Sequence, residues 1–388
     1  MKPPDPVRLI QDPGDLEALA SELAVAPRLA FDTEAASFHR YVDRVYLIQV
    51  STDRETALVD PIAVADIAPL GALLAVPDVE IVFHDADYDL RVLDRDYGFR
   101  ARNVFDTRIA AQLAGEPSVG LGALLEKYFG VTLDKRLQRA DWSARPLTEA
   151  MLAYAADDTR HLLRLRDVLA ERLRSLGRLG WLEEECTRLE EVRWSAGRRD
   201  DEQGFLRIRG AKALRRRALG ILERVYAWRD QTASRADRAP FRILGNDALL
   251  AIARTEPRTL EDLSQISGVG SATVQRYGEA ILEAVREGRA LPEERLPNVT
   301  RSRRPPPDPA YDARLERLKA VRNRMAATVG LEPGLVCPNG TLQAVARAAP
   351  TAPDQLTAIP ELRSWQREVL GDRRILAAVG SEESGEGS

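Results

Sequence analysis

Short apolar runs, separated by polar turns, recur through the first part of the chain. Four of them have the dense apolar pattern of buried strands: RLAFDTE (28–34), VYLIQVS (45–51), TALVDP (56–61) and VEIVFHD (79–85). Short turns separate the first three, so we predict that they form an antiparallel meander. A helical pattern, YDLRVLDRDYG (88–98), follows the fourth, and strand–helix alternation of this kind is typical of parallel additions to a sheet. The pattern therefore predicts a mixed sheet, in a domain of the α+β or α/β class.

Helical periodicity replaces the strand pattern from about residue 106. The segment FDTRIAAQLAG (105–115) ends on Gly115, and glycine is a common helix terminator. The segment LTEAMLAYAADDTRHLLRLRDVLAERLRSLG (147–177) predicts one long helical stretch that ends at Gly177. We therefore expect helices to pack on the mixed sheet within a first domain.

An internal repeat occupies the second half of the chain. LERVYAWRD (222–230) resembles LERLKAVRN (315–323), and NDALLAIAR (246–254) resembles NGTLQAVAR (339–347), both with an offset of 93 residues. A constant offset without strand signals predicts two copies of one small helical module. The predicted organisation is a first domain over 1–204, helical domains over 205–290 and 311–380, a Pro- and Arg-rich extended linker over 291–310, and a disordered tail over 381–388.

Composition limits the classes of protein that fit this pattern. At about 150 residues per domain, the 388 residues suggest two or three domains. The net charge of −4 excludes a uniformly basic nucleic-acid binder, so any nucleic-acid surface must be local. Cys186 and Cys337 are too few for a disulfide framework or a cysteine-based zinc site. No apolar run approaches the length of a membrane span or a signal peptide, so we expect a soluble cytoplasmic protein.

Acidic residues stand at three places where the pattern predicts strand ends or helices. Asp32 and Glu34 lie two positions apart on a strand, so both point to the same side. Asp89, in HDADYDL, falls within the first helical turns near the apolar face. Tyr154 and Asp158, in YAADDT, are four residues apart and share one helix face. Each acid alone is more often a cap or a solvated group, but several that converge need cations to relieve their repulsion.

Carboxylate oxygens are the ligands that Mg²⁺ and Mn²⁺ prefer. Two such ions about 4 Å apart suit phosphodiester hydrolysis, because one activates water and the other stabilises the leaving oxygen. A converging acid cluster would therefore predict a metal-dependent nuclease.

The segments FDTEAAS, HDADYDLRVL and YAADDTRHLL resemble the three motifs of the DEDD superfamily of exonucleases, in its tyrosine subtype. Together with LIQVS, ILERVYAWRDQTA and the two repeats, they resemble the bacterial ribonuclease D family over nearly the whole chain. The resemblance implies a ribonuclease H-like, mixed-sheet exonuclease domain followed by two all-α domains. These resemble HRDC (helicase-and-RNase-D carboxy-terminal) domains, which bind nucleic acid.

The resemblance also implies roles for single residues. It implies that Asp32, Glu34, Asp89 and Asp158 hold two divalent ions, Mg²⁺ or Mn²⁺, and that Tyr154 orients the attacking water. The implied reaction is 3′→5′ removal of single nucleotides as 5′-monophosphates from RNA 3′ ends, in 3′ maturation of tRNA precursors and other small structured RNAs. We expect a monomer without a small-molecule cofactor. A DNA exonuclease and a non-catalytic nucleic-acid-binding scaffold remain alternatives, although the complete set of acids argues against the scaffold.

Substrate contacts are less clear from the sequence. Five basic residues are candidates for phosphate contacts: Lys135 and Arg139 ahead of the third motif, and Arg207, Arg209 and Lys212 in the basic run 206–217 at the entrance to the first repeat. A solvated charged surface is an equally good interpretation of these residues. Trp142 could stack on a base or anchor a loop on the core, and we expect His84 to be structural.

Overall fold

A six-stranded mixed sheet forms the centre of the first domain. The computed structural model describes residues 7–195, 203–298 and 308–380. The strands are β1 (Val7–Ile10), β2 (Arg28–Ala35), β3 (Val45–Ser51), β4 (Thr56–Val59), β5 (Glu80–Phe83) and β6 (Val104–Asp106), in the order β1-β4-β3-β2-β5-β6. β3 is antiparallel to β2 and β4, whereas the pairs β1–β4, β2–β5 and β5–β6 are parallel. The predicted meander and the mixed sheet are confirmed. The sequence analysis missed β1 and β6, which are only four and three residues long.

Nine helices, counted over the described part of the first domain, surround this sheet. They are α1 (Pro13–Leu23), α2 (Pro61–Val64), α3 (Ala68–Leu74), α4 (Asp87–Tyr97), α5 (Thr107–Leu113), α6 (Leu121–Phe129), α7 (Glu149–Arg160), α8 (Leu162–Ser175) and α9 (Leu179–Glu190). Phe31 and Phe83 point from the sheet into an apolar cluster with α1, α3 and α4. On the opposite face, α7 covers β2, β3 and β4, while α8 packs on β2, β5 and α5.

The predicted helical stretch over residues 147–177 is confirmed, but a bend at His161 divides it into α7 and α8. Both helices contact β2, but the bend lets α7 also cover β3 and β4 while α8 also covers β5. The apolar periodicity continues across the bend, so the sequence does not show it. The predicted helix ends are confirmed, since Gly115 and Gly177 follow α5 and α8 with φ of 76° and 70°.

Two helical modules follow, and their helices repeat with the predicted offset. The first contains α10 (Arg216–Arg235), α11 (Pro240–Ile243), α12 (Asn246–Thr255), α13 (Leu260–Ser264) and α14 (Ser271–Ala290). The second contains α15 (Pro309–Val329), α16 (Pro333–Val336), α17 (Asn339–Ala348), α18 (Pro353–Thr357), α19 (Ser364–Leu370) and α20 (Asp372–Gly380). The last helix of the first module corresponds to two helices of the second, which are separated by Gly371 at φ 80°.

The segment between the modules is not extended along its whole predicted length. Residues Glu293–Arg295 form a 3-10 turn, and Leu296 is buried. Arg216 and Arg217 donate hydrogen bonds to backbone carbonyls of Glu293 and Leu291, which ties the start of this segment to the first module. The rest of the predicted linker up to residue 307, and the predicted disordered tail 381–388, lie outside the described residues. The domain boundaries therefore stay predictions.

The two modules dock at different places on the first domain. The backbone amide of Ala239 in the first module donates to the carbonyl of His39, in the loop after β2, at 3.2 Å. In the second module, the Trp365 ring stacks on Trp181 of α9 with 5.1 Å between ring centroids. The helices that the structure describes include none that is long and apolar enough to cross a membrane.

Candidate active site

Three of the predicted metal ligands meet at the end of β2. Asp32 and Glu34 point to the sheet face that α7 covers, and Asp158 projects from α7 toward them. One carboxylate oxygen from each of the three lies within 4.8 Å of the other two. The alternation of the strand and the position of α7 thus bring acids that are more than 120 residues apart in the chain into one group.

Asp89 comes from the other face of the sheet and lies behind these three acids. It occupies the first turn of α4 and is only 6% exposed. Thr33, which points to the α4 side of β2, donates a hydrogen bond from its hydroxyl to Asp89 at 2.5 Å. The carboxyl of Asp89 is close enough to Asp32 for its charge to raise the pKa of Asp32. The structure therefore brings all four predicted acids to one place, with Asp89 on the α4 side of β2 and the other three on the α7 side.

A buried acid that the sequence analysis missed, Asp106, fixes the start of α4. Its carboxylate accepts hydrogen bonds from the backbone amides of Ala86 and Asp85 at 2.7 and 3.3 Å. The same carboxylate caps α5 by accepting from Arg108 and Ile109. An acid directly before a helical pattern is a known capping signal, and it could have identified Asp106. Asp106 therefore holds the segment that carries Asp89.

Burial and mutual repulsion raise the pKa of every acid in the cluster. The pKa values of Asp89 and Asp158 rise to about 7, mainly because both carboxyls are buried. The pKa values of Asp32 and Glu34 lie well above their usual range, for the same reason and because of their acidic neighbours. Such a cluster is stable as carboxylates only when cations neutralise it.

The donors present fit a divalent cation. Carboxylate oxygens suit Mg²⁺ or Mn²⁺. Gln49 lies directly opposite Asp32 on β3, is fully buried, and finds no hydrogen-bond partner for either amide atom among the described residues. A buried amide normally has a partner, so Gln49 is, within the described part of the chain, an unpaired polar group directly beside Asp32.

Tyr154 lies one helical turn before Asp158 and lines the same cavity. Burial raises the pKa of its phenol, so the hydroxyl keeps its proton at neutral pH. The Trp142 ring packs against it with 5.9 Å between ring centroids. Trp142 is 1% exposed, which excludes base stacking and supports its interpretation as a loop anchor. Trp142 therefore sets the position of Tyr154.

The acids open into two adjoining cavities of about 450 and 420 Å³, which share Tyr154 and Asp158. The larger one is also lined by Asp32, Glu34, His84 and Arg108. These volumes match the size of pockets that bind small molecules, and a nucleotide is of that size.

The predicted substrate contacts fall in different places. The Arg139 guanidinium lies 5.1 Å above the exposed ring of Phe38, in the loop after β2. The side chain of Lys135 lies outside the described residues. Arg207, Arg209 and Lys212 are exposed on the first module, and none of the three is among the described lining residues of the two cavities.

Comparisons with known proteins identify relatives of both parts of the chain. The family described as 3′-5′ exonuclease matches residues 7–174, and the HRDC domain matches residues 218–285 and 312–379. A ribonuclease D from Gluconacetobacter diazotrophicus is 36% identical, over 96% of this chain and 92% of that protein. A ribonuclease D from Escherichia coli is 33% identical over 73% of this chain and 75% of that protein.

Two solved structures show the same architecture. The crystal structure of Escherichia coli RNase D, an exoribonuclease involved in structured RNA processing, has a TM-score of 0.67 at 27% identity and covers 95% of this chain and 97% of its own. The catalytic core of RRP6 from Trypanosoma brucei has a TM-score of 0.65 at 28% identity and covers 74% and 81%. The fold, the acid cluster and these likenesses lead to one conclusion: the chain belongs to the ribonuclease D family, with a 3′→5′ exonuclease domain followed by two HRDC domains.

Proposed function

We propose that the active site of this 3′→5′ exoribonuclease is formed by four acids, Asp32, Glu34, Asp89 and Asp158. These acids would hold two divalent ions, Mg²⁺ or Mn²⁺. The observation that carries the proposal is the approach of Asp32, Glu34 and Asp158 oxygens to within 4.8 Å of one another. Two bound ions would supply an activated water and stabilise the leaving oxygen. Asp89, on the α4 side of β2, would be the fourth metal ligand.

Tyr154 orients the attacking water in this proposal. Its phenol keeps its proton because burial raises its pKa, so it positions the water by hydrogen bonding and does not act as a base. Trp142 holds the ring in place from behind. The product would be a 5′-monophosphate and an RNA shortened by one nucleotide.

The RNA path would run over the junction between the first domain and the first module. Phe38 and Phe241 are 43% and 52% exposed, and their rings meet edge to face at 6.1 Å. Arg139 lies above Phe38, and Arg242 donates a hydrogen bond to the Phe38 carbonyl at 2.5 Å. Exposed aromatic rings beside arginines are typical contacts for single-stranded nucleic acid. Among the five basic candidates, Arg139 is therefore the one whose surroundings best support a role in RNA binding.

Small structured RNAs, including tRNA precursors that need 3′ maturation, are the proposed substrates. Support comes from the likeness to the Escherichia coli enzyme that takes part in structured RNA processing. Arg207, Arg209 and Lys212 on the first module would bind the phosphate backbone of the folded part of such an RNA. We propose that the protein acts as a monomer in the cytoplasm.

The experiment that tests the metal site is the substitution Asp32→Asn. We expect hydrolysis of a 3′-extended tRNA precursor to fall at least about 1,000-fold, because the variant loses a charged ligand at the centre of the cluster. Mn²⁺ binding, measured by isothermal titration calorimetry, should weaken, while the circular dichroism spectrum stays unchanged.

Asp157→Asn is the matched control, because Asp157 is the neighbouring acid on α7 and pairs with Arg160 at 2.9 Å. This variant should keep most of its activity. Normal hydrolysis by the Asp32→Asn protein would refute the proposed metal site.

A further inference from the structure

One wall of the larger cavity carries a histidine that the reaction proposed above does not use. His84 directly follows β5 and lines the cavity together with Asp32 and Tyr154. Its ring is partly buried. The sequence analysis interpreted this residue as structural, but its place beside the acids suggests contact with the substrate.

A hydrogen-bond chain determines which ring nitrogen of His84 carries the proton. Nδ1 lies 2.9 Å from the hydroxyl of Thr107, and that hydroxyl donates its only proton to the carbonyl of Phe83, also at 2.9 Å. The Thr107 oxygen must therefore accept from His84, so Nδ1 carries the hydrogen. Thr107 is fully buried, which holds this arrangement in place. Nε2 is left with a free lone pair and is a hydrogen-bond acceptor.

The His84 ring also stays neutral. Burial, together with the nearby positive charge of Arg108, lowers the pKa of His84 to about 4. Arg108 in turn is bound by Asp85 at 2.7 Å. Within the described part of the chain, Nε2 has no hydrogen-bond partner, so the acceptor is available to a bound molecule.

Only a group that donates a hydrogen bond can pair with this nitrogen. Phosphate oxygens are acceptors and cannot do so, whereas sugar hydroxyls donate. If the acids hold the scissile phosphate, a ribose adjoins that phosphate on each side, and the ribose of the 3′-terminal nucleotide is the one that leaves with it as the monophosphate. We propose that His84 Nε2 accepts a hydrogen bond from a hydroxyl of the 3′-terminal ribose and makes the enzyme specific for the sugar. This inference rests on the proposed metal site.

The test compares three oligonucleotides that differ only in the terminal sugar: ribose, 2′-deoxyribose and 3′-deoxyribose. The wild-type enzyme should cleave the ribose end roughly tenfold faster than one of the two deoxy ends, in single-turnover assays, because one hydrogen bond is lost. His84→Leu should slow cleavage of the ribose end roughly tenfold. It should not change the rate for the deoxy end that the wild-type enzyme cleaves more slowly. The hydroxyl that is missing from this deoxy end is the one that donates to His84.

His84→Gln offers an amide oxygen near the position of Nε2 and should restore part of the preference. An equal loss on all three ends in His84→Leu would overturn the proposal, because it would show that the residue only shapes the site. If the proposed metal site is correct, the Asp32→Asn protein should cleave none of the three oligonucleotides. Cleavage by that protein would show that the metal site, and not the role of His84, is wrong.

A second variant keeps the proposal testable if His84→Leu does not fold. Thr107→Val retains the histidine but removes the hydroxyl that fixes its proton on Nδ1, so it should reduce the ratio of ribose to deoxy cleavage. Thr107→Ser keeps the hydroxyl and should preserve the ratio. An unchanged ratio in Thr107→Val, with the fold intact by circular dichroism, would also count against the proposed role.

Discussion

At the scale of single residues, the protonation of the acid cluster controls what the site can bind. Asp89 and Asp158 have pKa values near 7, and those of Asp32 and Glu34 are raised as well. The carboxyls of the free enzyme therefore keep protons to a higher pH than ordinary carboxyls do, and a metal ion has to displace the protons that remain. Proton release and metal binding are thus coupled.

We predict that Mn²⁺ affinity rises with pH between about 5.5 and 8, because fewer protons remain to be displaced as the pH passes the pKa values near 7. Calorimetric titrations in two buffers of different ionisation enthalpy should show proton release on binding, and less release at high pH. Affinity that does not change over this range would mean that the carboxyls are already ionised in the free enzyme.

Tyr154→Phe separates the orientation of water from metal binding. Removal of the hydroxyl should lower the single-turnover rate about 100-fold, because the water is no longer held in place. The ring still packs on Trp142, so Mn²⁺ affinity and thermal stability should stay close to wild type.

Tyr311→Phe, in the first turn of α15 and outside the described lining of both cavities, is the control and should have normal activity. A Tyr154→Phe enzyme with full activity would remove the tyrosine from the mechanism.

At the scale of elements, the two modules show how one glycine position serves two purposes. Gly278 lies within α14, where a Cβ atom would come within 2.4 Å of the Leu260 side chain. Its counterpart 93 residues later, Gly371, has φ of 80° and separates α19 from α20. At the first position glycine leaves room for the Leu260 side chain, whereas the second requires a backbone that accepts a positive φ. The same residue type is therefore retained in both copies for different reasons.

Close packing of α10 on α14 depends on Gly288. A Cβ atom there would lie 2.5 Å from the Cα of Ile221 and 2.9 Å from the carbonyl oxygen of Gly220. Because both contacts involve backbone atoms, Gly288→Ala should lower the free energy of unfolding by about 1–3 kcal/mol. Urea denaturation followed by circular dichroism measures the change.

Gly180→Ala provides the control for this prediction, because nothing lies within 4 Å of its added Cβ atom. In a helix, this change should be neutral or slightly stabilising. Equal stability of the two variants would mean that α10 and α14 can move apart without cost.

At the scale of the whole molecule, the two modules are attached in different ways. The second shares one apolar cluster with the first domain, which includes Trp181 and Leu124 from the first domain and Trp365 and Leu331 from the module. Glu184 of α9 also accepts a hydrogen bond from the backbone amide of Ser364 at 2.7 Å. The first module instead docks on the loop that directly follows β2, the strand that carries Asp32 and Glu34. The second module therefore supports the catalytic domain, and the first one borders the proposed RNA path.

The basic residues of the first module provide a test at this scale. Replacing Arg207, Arg209 and Lys212 together by alanine should weaken RNA binding. The slope of the logarithm of the binding constant against the logarithm of the salt concentration should fall by the share of up to about three phosphate contacts. Filter binding of a tRNA precursor between about 50 and 200 mM salt measures the slope.

Arg216→Ala and Arg217→Ala together form the control, because both side chains are occupied with backbone carbonyls of the same module. These changes should lower stability more than they change the salt slope. A slope that is unaltered in the triple variant would place the RNA elsewhere.

Local patterns in the sequence were sufficient for several features. The two-residue period put Asp32 and Glu34 on one face, the four-residue spacing did the same for Tyr154 and Asp158, and the constant offset of 93 predicted two helical modules. These patterns succeed because they reflect the geometry of a strand or a helix, which neighbouring residues determine by themselves.

Other features depend on contacts between distant segments, and only the tertiary structure decided them. The bend at His161 accompanies the packing of α7 on β3 and β4 and of α8 on β5. The proton position on His84 depends on Thr107, and the pair Phe38–Phe241 joins two domains. The sequence alone thus determined which side chains share a face of each element. Packing decided which faces meet, because the free energy of burial depends on the whole fold and is not encoded in any local window of the chain.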